Sequence, residues 1–203
     1  MTVRRLPMFP LGTVLFPEAI LPLHVFEERY RTMMEVVLAE RPAVFGVVLI
    51  ERGSEVGGGD VRSDVGTLAV VEGATRAPDG RYALVTRGVA RLRVEQWLPD
   101  DPYPQAVVEI LGGEDGGGDA GEADLAAAAG AVRRMEALYS ELGARPLPTP
   151  ESDSVWGLCQ RLPVNPLDRQ RLLATDDPAV RLALVRELAD ALADDALRML
   201  QEG

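Results

Sequence analysis

Side chains that could carry out catalytic chemistry are few in this sequence and stand far apart along it. The only histidine, His24, lies between Leu23 and Val25, and the only cysteine, Cys159, lies in an apolar segment. A serine triad needs a histidine beside the nucleophile and a third group that orients the histidine, and no serine of the sequence has such neighbours. We therefore interpret His24 as a capping or packing residue and Cys159 as a buried core residue.

The absence of lysine excludes several further reaction types. All 21 basic residues are arginines, so the chain offers no Walker A lysine, no Schiff base and no serine–lysine dyad. One histidine and one cysteine cannot form a zinc site, and the acidic runs lack the spacing of a calcium loop. We expect no enzymatic activity, no catalytic residue, no bound metal and no cofactor.

Charge and hydropathy narrow the classes of partner. The net charge of −11 argues against a general affinity for nucleic acid or anionic membranes, because both carry negative charge. No run of 18 apolar residues is present, and prolines interrupt the N-terminal segment where a signal peptide would need an apolar stretch. These patterns predict a cytoplasmic protein that does not cross a membrane.

The N-terminal segment Leu6–Arg31 contains an unusual set of four prolines. Proline fixes φ and removes a backbone donor, so this segment cannot form a regular central strand. The pattern predicts an irregular extended stretch and then a helix from about Leu23 to Glu40. The apolar positions that would face the core recur at steps of three and four, and they are Leu23, Phe26, Tyr30, Met33, Met34 and Val37.

After this helix, the apolar pattern changes to that of strands. A continuous β-branched run at Ala43–Glu51 is typical of a strand buried on both faces or of a barrel wall. Residues 52–64 are rich in glycine and polar groups and are predicted to form a loop. Five strands are predicted, at Val3–Phe9, Ala43–Glu51, Val65–Thr75, Tyr82–Leu98 and Gln105–Leu111. A bulge is predicted at Gly88, within the fourth of them.

The C-terminal part has a helical pattern and follows an acidic, glycine-rich stretch. The latter, Gly112–Asp124, has no apolar residue larger than alanine and is predicted to be a disordered linker. Four helices are predicted after it: Leu125–Leu142, one capped by Ser152 or Ser154, and two opened by Asn165–Pro166 and Asp177–Pro178. The predicted division is a β subdomain at 1–111, a linker at 112–124 and a helical subdomain at 125–203, which is an α+β fold.

Residues 9–31, FPLGTVLFPEAILPLHVFEERYR, resemble the opening signature of the Lon protease amino-terminal domain, a substrate-binding module. The order and spacing of the prolines, the Phe-Glu pair and the Arg-Tyr pair all agree with it. The resemblance implies a PUA-like β pseudo-barrel with one helix, followed by a helical bundle. It also implies a standalone member without ATPase and peptidase domains. The residues assigned to the structural motif of the family are Pro10, Pro17, Pro22, Phe26, Gly46, Gly66, Gly88 and Arg91.

The resemblance further implies non-catalytic recognition of proteins or exposed peptide segments. Unfolded or partly folded segments are the expected partners, together with an ATP-dependent protease for which the chain would act as an adaptor or substrate-binding partner. Phe16, Ile20 and Leu21 are the candidates for an exposed apolar patch that binds them, although core packing is favoured for each of them taken singly. Glu27, Arg29 and Tyr30 either belong to the same substrate groove or hold the helix against the barrel through Arg91 or Arg93.

Two other functions stay open from the sequence. Barrels of the PUA type bind RNA in many proteins, although the acidic balance and the absence of lysine make nucleic acid a poor partner here. A small-ligand sensor is suggested by the pocket of cereblon, which contains the same module. That pocket is a tryptophan cage in a separate domain, and Trp97 and Trp156 do not lie in such a motif. The sequence does not predict the oligomeric state.

Overall fold

The structure, a computed structural model, describes residues 2–52, 61–111, 121–144 and 152–202. The chain divides into two compact units, Met1–Glu114 and Asp115–Gly203. The elements of the first unit are β1 (Thr2–Leu11), β2 (Ile20–Val25), α1 (Glu28–Ala39), β3 (Val44–Arg52), β4 (Val61–Arg76), β5 (Tyr82–Leu98) and β6 (Gln105–Leu111). The second unit contains α2 (Glu122–Glu141), α3 (Val155–Arg161), α4 (Pro166–Ala174) and α5 (Pro178–Glu202). The predicted α+β class is confirmed.

The sheet of the first unit closes on itself. Its strand order is β2-β5-β4-β3-β1-β6, and β6 also pairs with β5, so all strands except β2 form a ring. The parallel pair β1–β3 requires a crossover connection, which β2 and α1 supply. The long strand β5 pairs with three strands: with β4 between Tyr82 and Arg93, with β2 through Tyr82–Arg87, and with β6 through Arg91–Leu98. This is the pseudo-barrel with one helix that the resemblance implies.

The barrel wall is apolar on both faces, as the β-branched run in β3 predicts. Side chains on one face fill the barrel interior, and those on the other face pack beneath α1. The interior cluster comprises Leu6, Met8, Val44, Val48, Leu92, Val94, Ala106 and Val108. The cluster under α1 includes Phe9, Phe45, Tyr30, Met33, Met34 and Val37.

The prediction for residues 20–27 was wrong in the position of the helix start. Residues 20–25 form β2, which pairs with β5, and α1 begins only at Glu28. The prolines were interpreted as excluding a central strand, and β2 agrees with this, because it is the terminal strand in the order, where a missing backbone donor is tolerated. As a consequence of the later helix start, Phe26, predicted to face the core, lies before the helix and is 59% exposed.

The interpretation of the prolines was wrong for β1, which lies between β3 and β6 and contains Pro7 and Pro10. Since β6 pairs with Thr2–Pro7 and β3 with Met8–Leu11, each of these prolines has a strand partner on one edge only.

The remaining strands agree with the prediction apart from their ends. Strand β4 begins at Val61, so residues 61–64 are strand rather than loop, while residues 53–60 lie outside the described residues. The bulge predicted at Gly88 is present next to it, because Leu68 pairs with Ala90 and Ala69 pairs with Gly88, which leaves Val89 extra.

The second unit consists of helices with the predicted caps. The Ser154 hydroxyl accepts the Gly157 N–H at 3.0 Å, and the Asn165 amide oxygen accepts the N–H groups of Leu167 and Asp168.

Helix α2 begins at Glu122 rather than at the predicted Leu125. Acidic residues in its first turn favour this start, because they complement the positive end of the helix dipole. The other linker residues, 112–120, lie outside the described residues.

Candidate functional site

Phe16, a candidate for the exposed apolar patch, is fully buried, in agreement with the alternative of core packing. It begins a tight turn with Pro17 at the second position and Glu18 at the third, closed by the Ala19 N–H donating to the Phe16 carbonyl. Glu18 has a φ of 67°, a left-handed conformation that the third position of a type II turn requires. The turn is fixed to β5, because Glu18 donates to the Gly88 carbonyl and Gly88 donates to Ala19. Phe16 is therefore part of the core and does not contribute to a binding surface.

The outer face of β2 forms an exposed apolar surface. Ile20, Pro22 and His24 alternate along the strand with buried residues, and Phe26 continues the series beyond it. Val85, opposite Pro22 on β5, extends the surface sideways. The exposed fractions are 47% for Ile20, 59% for Phe26 and 44% for Val85. We call these four apolar residues, Ile20, Pro22, Phe26 and Val85, the β2 stripe; Leu21 points to the other side and is partly buried.

A cleft of about 190 Å³ opens at one side of Phe26. Its walls come from the end of β1, from β2 and from the start of α1, and its lining is mainly apolar. The lining residues are Phe9, Leu11, Pro22, Leu23, His24, Val25, Phe26, Glu27 and Tyr30. A cavity of about 150 Å³ can hold a benzene ring, so this cleft has room for one large apolar side chain.

The Glu27, Arg29 and Tyr30 group lies beside this first cleft and is held together internally. The Arg29 guanidinium donates to the Glu27 carboxylate at 3.1 Å and lies 4.5 Å from the centroid of the Tyr30 ring. The same ring stacks on Phe9 at a centroid distance of 4.2 Å. The ion pair of Glu27 is thus made within its own segment, and not with Arg91 or Arg93 as one alternative predicted. The stack, rather than a salt bridge to the barrel, attaches the start of α1 to β1.

A second cleft of about 360 Å³ opens at the other side of Phe26. It lies between the end of β2 and the β4–β5 hairpin, and it shares a wall with the first cleft. Its lining residues are His24, Val25, Phe26, Thr75, Ala77, Arg81, Tyr82 and Ala83. The two clefts are therefore separated by a ridge that includes the exposed residues His24 and Phe26.

The charge at the second cleft is neutralised locally. The carboxylate of Asp79 accepts the Arg81 backbone N–H at 3.1 Å and the Arg81 guanidinium at 2.7 Å. These bonds hold the pKa of Asp79 below its ordinary value of 3.8, and the bond from the Arg81 backbone N–H contributes most. Asp79 is consequently ionised at neutral pH and balances the charge of Arg81.

The glycines and Arg91 of the structural motif lie in the barrel wall and not at the clefts. A side chain at Gly66 would collide with the Val47 carbonyl, and one at Gly88 with the Phe16 carbonyl, so both positions require close backbone approach. A side chain at Gly46 would meet Met8 in the barrel interior.

Arg91, Pro10 and Pro17 of the structural motif also lie away from the clefts. Arg91 is buried on β5 opposite Thr67. Pro10 pairs with Val48 in β3, and Pro17 forms the turn described above.

Within the described ranges, no cluster of three or more histidine, cysteine, aspartate or glutamate side chains could hold a metal ion. None of the helices in the described part of the chain has both the length and the apolar character needed to cross a bilayer.

Comparison with known proteins agrees with this architecture. Residues 5–191 match the ATP-dependent protease La (LON) substrate-binding domain. The chain belongs to this family. Among solved structures, the Lon N-terminal domain protein from Xanthomonas campestris is 29% identical with a TM-score of 0.66, and the match covers 89% of this chain and 95% of that one. The N-terminal domain of the Lon protease of the Mycobacterium avium complex has the same fold, with a TM-score of 0.62, 17% identity, and coverage of 92% and 98%.

Full-length relatives match only in part. Lon protease 2 of Herpetosiphon aurantiacus is 31% identical over 113 residues, which is 54% of this chain and 14% of the relative. The Lon protease of Desulfosudis oleivorans is 32% identical over 103 residues, which is 49% of this chain and 12% of the relative. The chain therefore aligns with about one eighth of the curated proteases, and the part that it matches is a substrate-binding module.

For this Lon substrate-binding domain, sequence reasoning missed the second cleft and the exposure of Phe26. Tyr82, Thr75 and Arg81 reach the site only because the β4–β5 hairpin pairs beside β2, and no local pattern shows that pairing. A signal for the stripe was present, however. Ile20, Pro22, His24 and Phe26 recur with a period of two, as expected for a strand with one solvent-exposed face.

Proposed function

We propose that the β2 stripe and the two clefts beside Phe26 bind exposed apolar segments of unfolded or partly folded proteins. The observation that carries this proposal is the exposure of the alternating apolar residues Ile20, Pro22 and Phe26, bordered by Val85. Contiguous exposed apolar surface is unusual on a folded protein and marks interaction sites. The family supports it as well, because the matched module is a substrate-binding domain.

The proposed biological role is that of a cytoplasmic substrate-binding partner or adaptor in ATP-dependent proteolysis. A chain with this role would bind an unfolded client through the stripe and deliver it to the protease. The role rests on the likeness to the substrate-binding part of Lon proteases. Client binding can be tested before any protease is identified.

The geometry favours this proposal over the two other functions. RNA binding requires uncompensated positive charge, whereas the chain carries a net charge of −11 and Arg81 at the second cleft is paired with Asp79. A small-molecule ligand of drug size requires about 300–1,000 Å³ of concave volume. The first cleft is smaller than this range, and the second is near its lower end.

The test is fluorescence anisotropy of a labelled, permanently unfolded protein, with an RNA oligonucleotide measured in parallel. We expect the unfolded protein to bind, and Phe26→Ala to weaken binding at least about tenfold, because a bulky apolar contact is worth about 1.5–3 kcal/mol. Val36→Ala is the matched control, since Val36 is an exposed apolar residue of α1 that lines neither cleft. Binding of RNA alone, or equal effects of the two substitutions, would overturn the proposal.

A further inference from the structure

Resting on the proposed function, we infer that Arg31 is a positioning residue for the second cleft. Arg31 belongs to α1 and does not line the cleft, but it contacts the turn that joins β4 to β5. We call this turn, residues 77–81, the hairpin tip. The hairpin tip supplies Ala77 and Arg81 to the cleft wall, so a side chain that fixes the tip also fixes the width of the cleft.

The hairpin tip extends beyond the paired strands of the sheet. The last pair of β4 and β5 joins Arg76 to Tyr82, and the chain continues past it as a turn. Two backbone bonds close this turn, from the Ala77 N–H to the Arg81 carbonyl at 2.8 Å and from the Gly80 N–H to the Ala77 carbonyl at 2.9 Å. These bonds fix the shape of the tip. Its position relative to α1 requires a separate contact.

Arg31 supplies that contact. Its Nη1 donates to the Asp79 carbonyl at 3.2 Å. A Cβ added at Gly80 would lie 2.9 Å from the same nitrogen, so the absence of a side chain at Gly80 lets the guanidinium approach the turn closely. One turn further along the same side of α1, Glu35 pairs with Arg76 at 3.0 Å, which attaches the base of the tip to the same helix.

Arginine is not the residue that would stabilise this position most. The Nε of Arg31 is buried and has no hydrogen-bond partner among the described residues, and a buried donor without a partner lowers stability. Methionine, an unbranched apolar side chain, would fill the space without that penalty. Asp79 is exposed, so its carbonyl could then bond to water. Arg31 therefore fixes the hairpin tip at the expense of stability, and substitution should separate the two effects.

The experiment measures amide hydrogen exchange in the full chain carrying Arg31→Met. We expect the Ala77 and Gly80 amides, which report on the two bonds of the tip, to exchange about tenfold faster, because the tip loses its contact with α1. The midpoint of urea denaturation should not fall. The matched control is Arg41→Met, which removes the same charge just after α1. Arg41 donates to carbonyls at the end of its own helix, so this variant should leave exchange at the tip unchanged.

Anisotropy of the labelled, permanently unfolded protein gives the second readout. Arg31→Met should weaken its binding at least about threefold, because a wall that is not fixed beforehand must be ordered on binding, and Arg41→Met should leave binding unchanged. If the unsubstituted chain binds and Arg31→Met binds equally well, the inference fails and the proposed function stands. Unchanged exchange at the tip, or a urea midpoint that falls with the affinity, would also overturn the inference. If the unsubstituted chain does not bind the unfolded protein, the proposed function fails and the inference with it.

Discussion

Two phenylalanines of the same N-terminal segment have opposite surroundings. Phe16 is fully buried at a turn that hydrogen bonds attach to Gly88 of β5. Phe26 is 59% exposed on a ridge between two clefts. Both are aromatic and both stand in proline-rich surroundings, yet one closes the barrel core and the other is available to a client. The difference shows that the segment is buried at the turn around Phe16, whereas from Ile20 to Phe26 one of its faces is exposed.

The physical origin of this difference is the pairing partner of each half. The first half crosses β5 at a bulge, where a glycine allows two backbones to approach closely. The second half is the terminal strand of the sheet, and the residues on one of its two faces, Ile20, Pro22 and His24, are exposed. Removing side chains in each half should therefore have separable effects on stability and binding.

The largest effect is expected from truncating the two phenylalanines in parallel. Phe16→Ala should lower the free energy of unfolding by about 3–5 kcal/mol, because it leaves a cavity in the core. Phe26→Ala should change it by less than about 0.5 kcal/mol, since its side chain is exposed. Urea denaturation followed by circular dichroism measures both. Similar losses for the two variants would show that the two halves are not distinct.

The second effect concerns the close approach at Gly88. Gly88→Ala places a methyl group against the Phe16 carbonyl and should lower the free energy of unfolding by about 1–3 kcal/mol. Gly73→Ala is the matched control in the neighbouring strand, because its added Cβ would meet only Val85 at 3.9 Å. Thermal melts of the two variants decide the matter, and equal melting temperatures would contradict the structural role given to Gly88.

A smaller effect of the opposite sign is expected at Glu18. Its φ of 67° is unfavourable for a residue with a Cβ by about 1–2 kcal/mol, and glycine adopts it without strain. Part of the gain is lost to the greater freedom of glycine in the unfolded chain. Glu18→Gly should therefore raise the free energy of unfolding by about 0.5–1 kcal/mol in urea titrations. A decrease would mean that the side chain of Glu18 stabilises the turn by more than its backbone strain.

The smallest expected effect is on the pKa of Asp79, which lies beside the second cleft. The pKa of Asp79 is lowered by hydrogen bonds from Arg81, mainly the backbone one. Its contribution to stability is therefore present above the unfolded pKa, about 3.9, and is lost as the pH falls through the lower folded pKa. Because both side chains are exposed, the effect on global stability is small. NMR titration should show the Asp79 carboxyl moving toward its ordinary pKa in Arg81→Gln, and an unchanged titration would contradict the pairing.

Much of the fold followed from local patterns in the sequence. Strands β5 and β6 match their predicted limits, Tyr82–Leu98 and Gln105–Leu111, because turn residues bound them on both sides. The caps at Ser154 and Asn165 were also predicted, since capping depends on residues within three positions. For the site, the sequence predicted the segment and three of its residues near the clefts, Glu27, Arg29 and Tyr30, whose role in binding stays a prediction.

By itself, the sequence determined the α+β class through its apolar periods and the absence of lysine chemistry through its composition, and the resemblance of residues 9–31 indicated the family. Only the tertiary structure decided that Phe16 is core and Phe26 is surface. Local spacing placed both in an apolar pattern, and the strand–helix boundary at residues 25–28 depends on pairing with β5, which is more than 55 residues away along the chain. Burial is a property of what packs against a residue, and for this segment the packing partners come from distant parts of the chain.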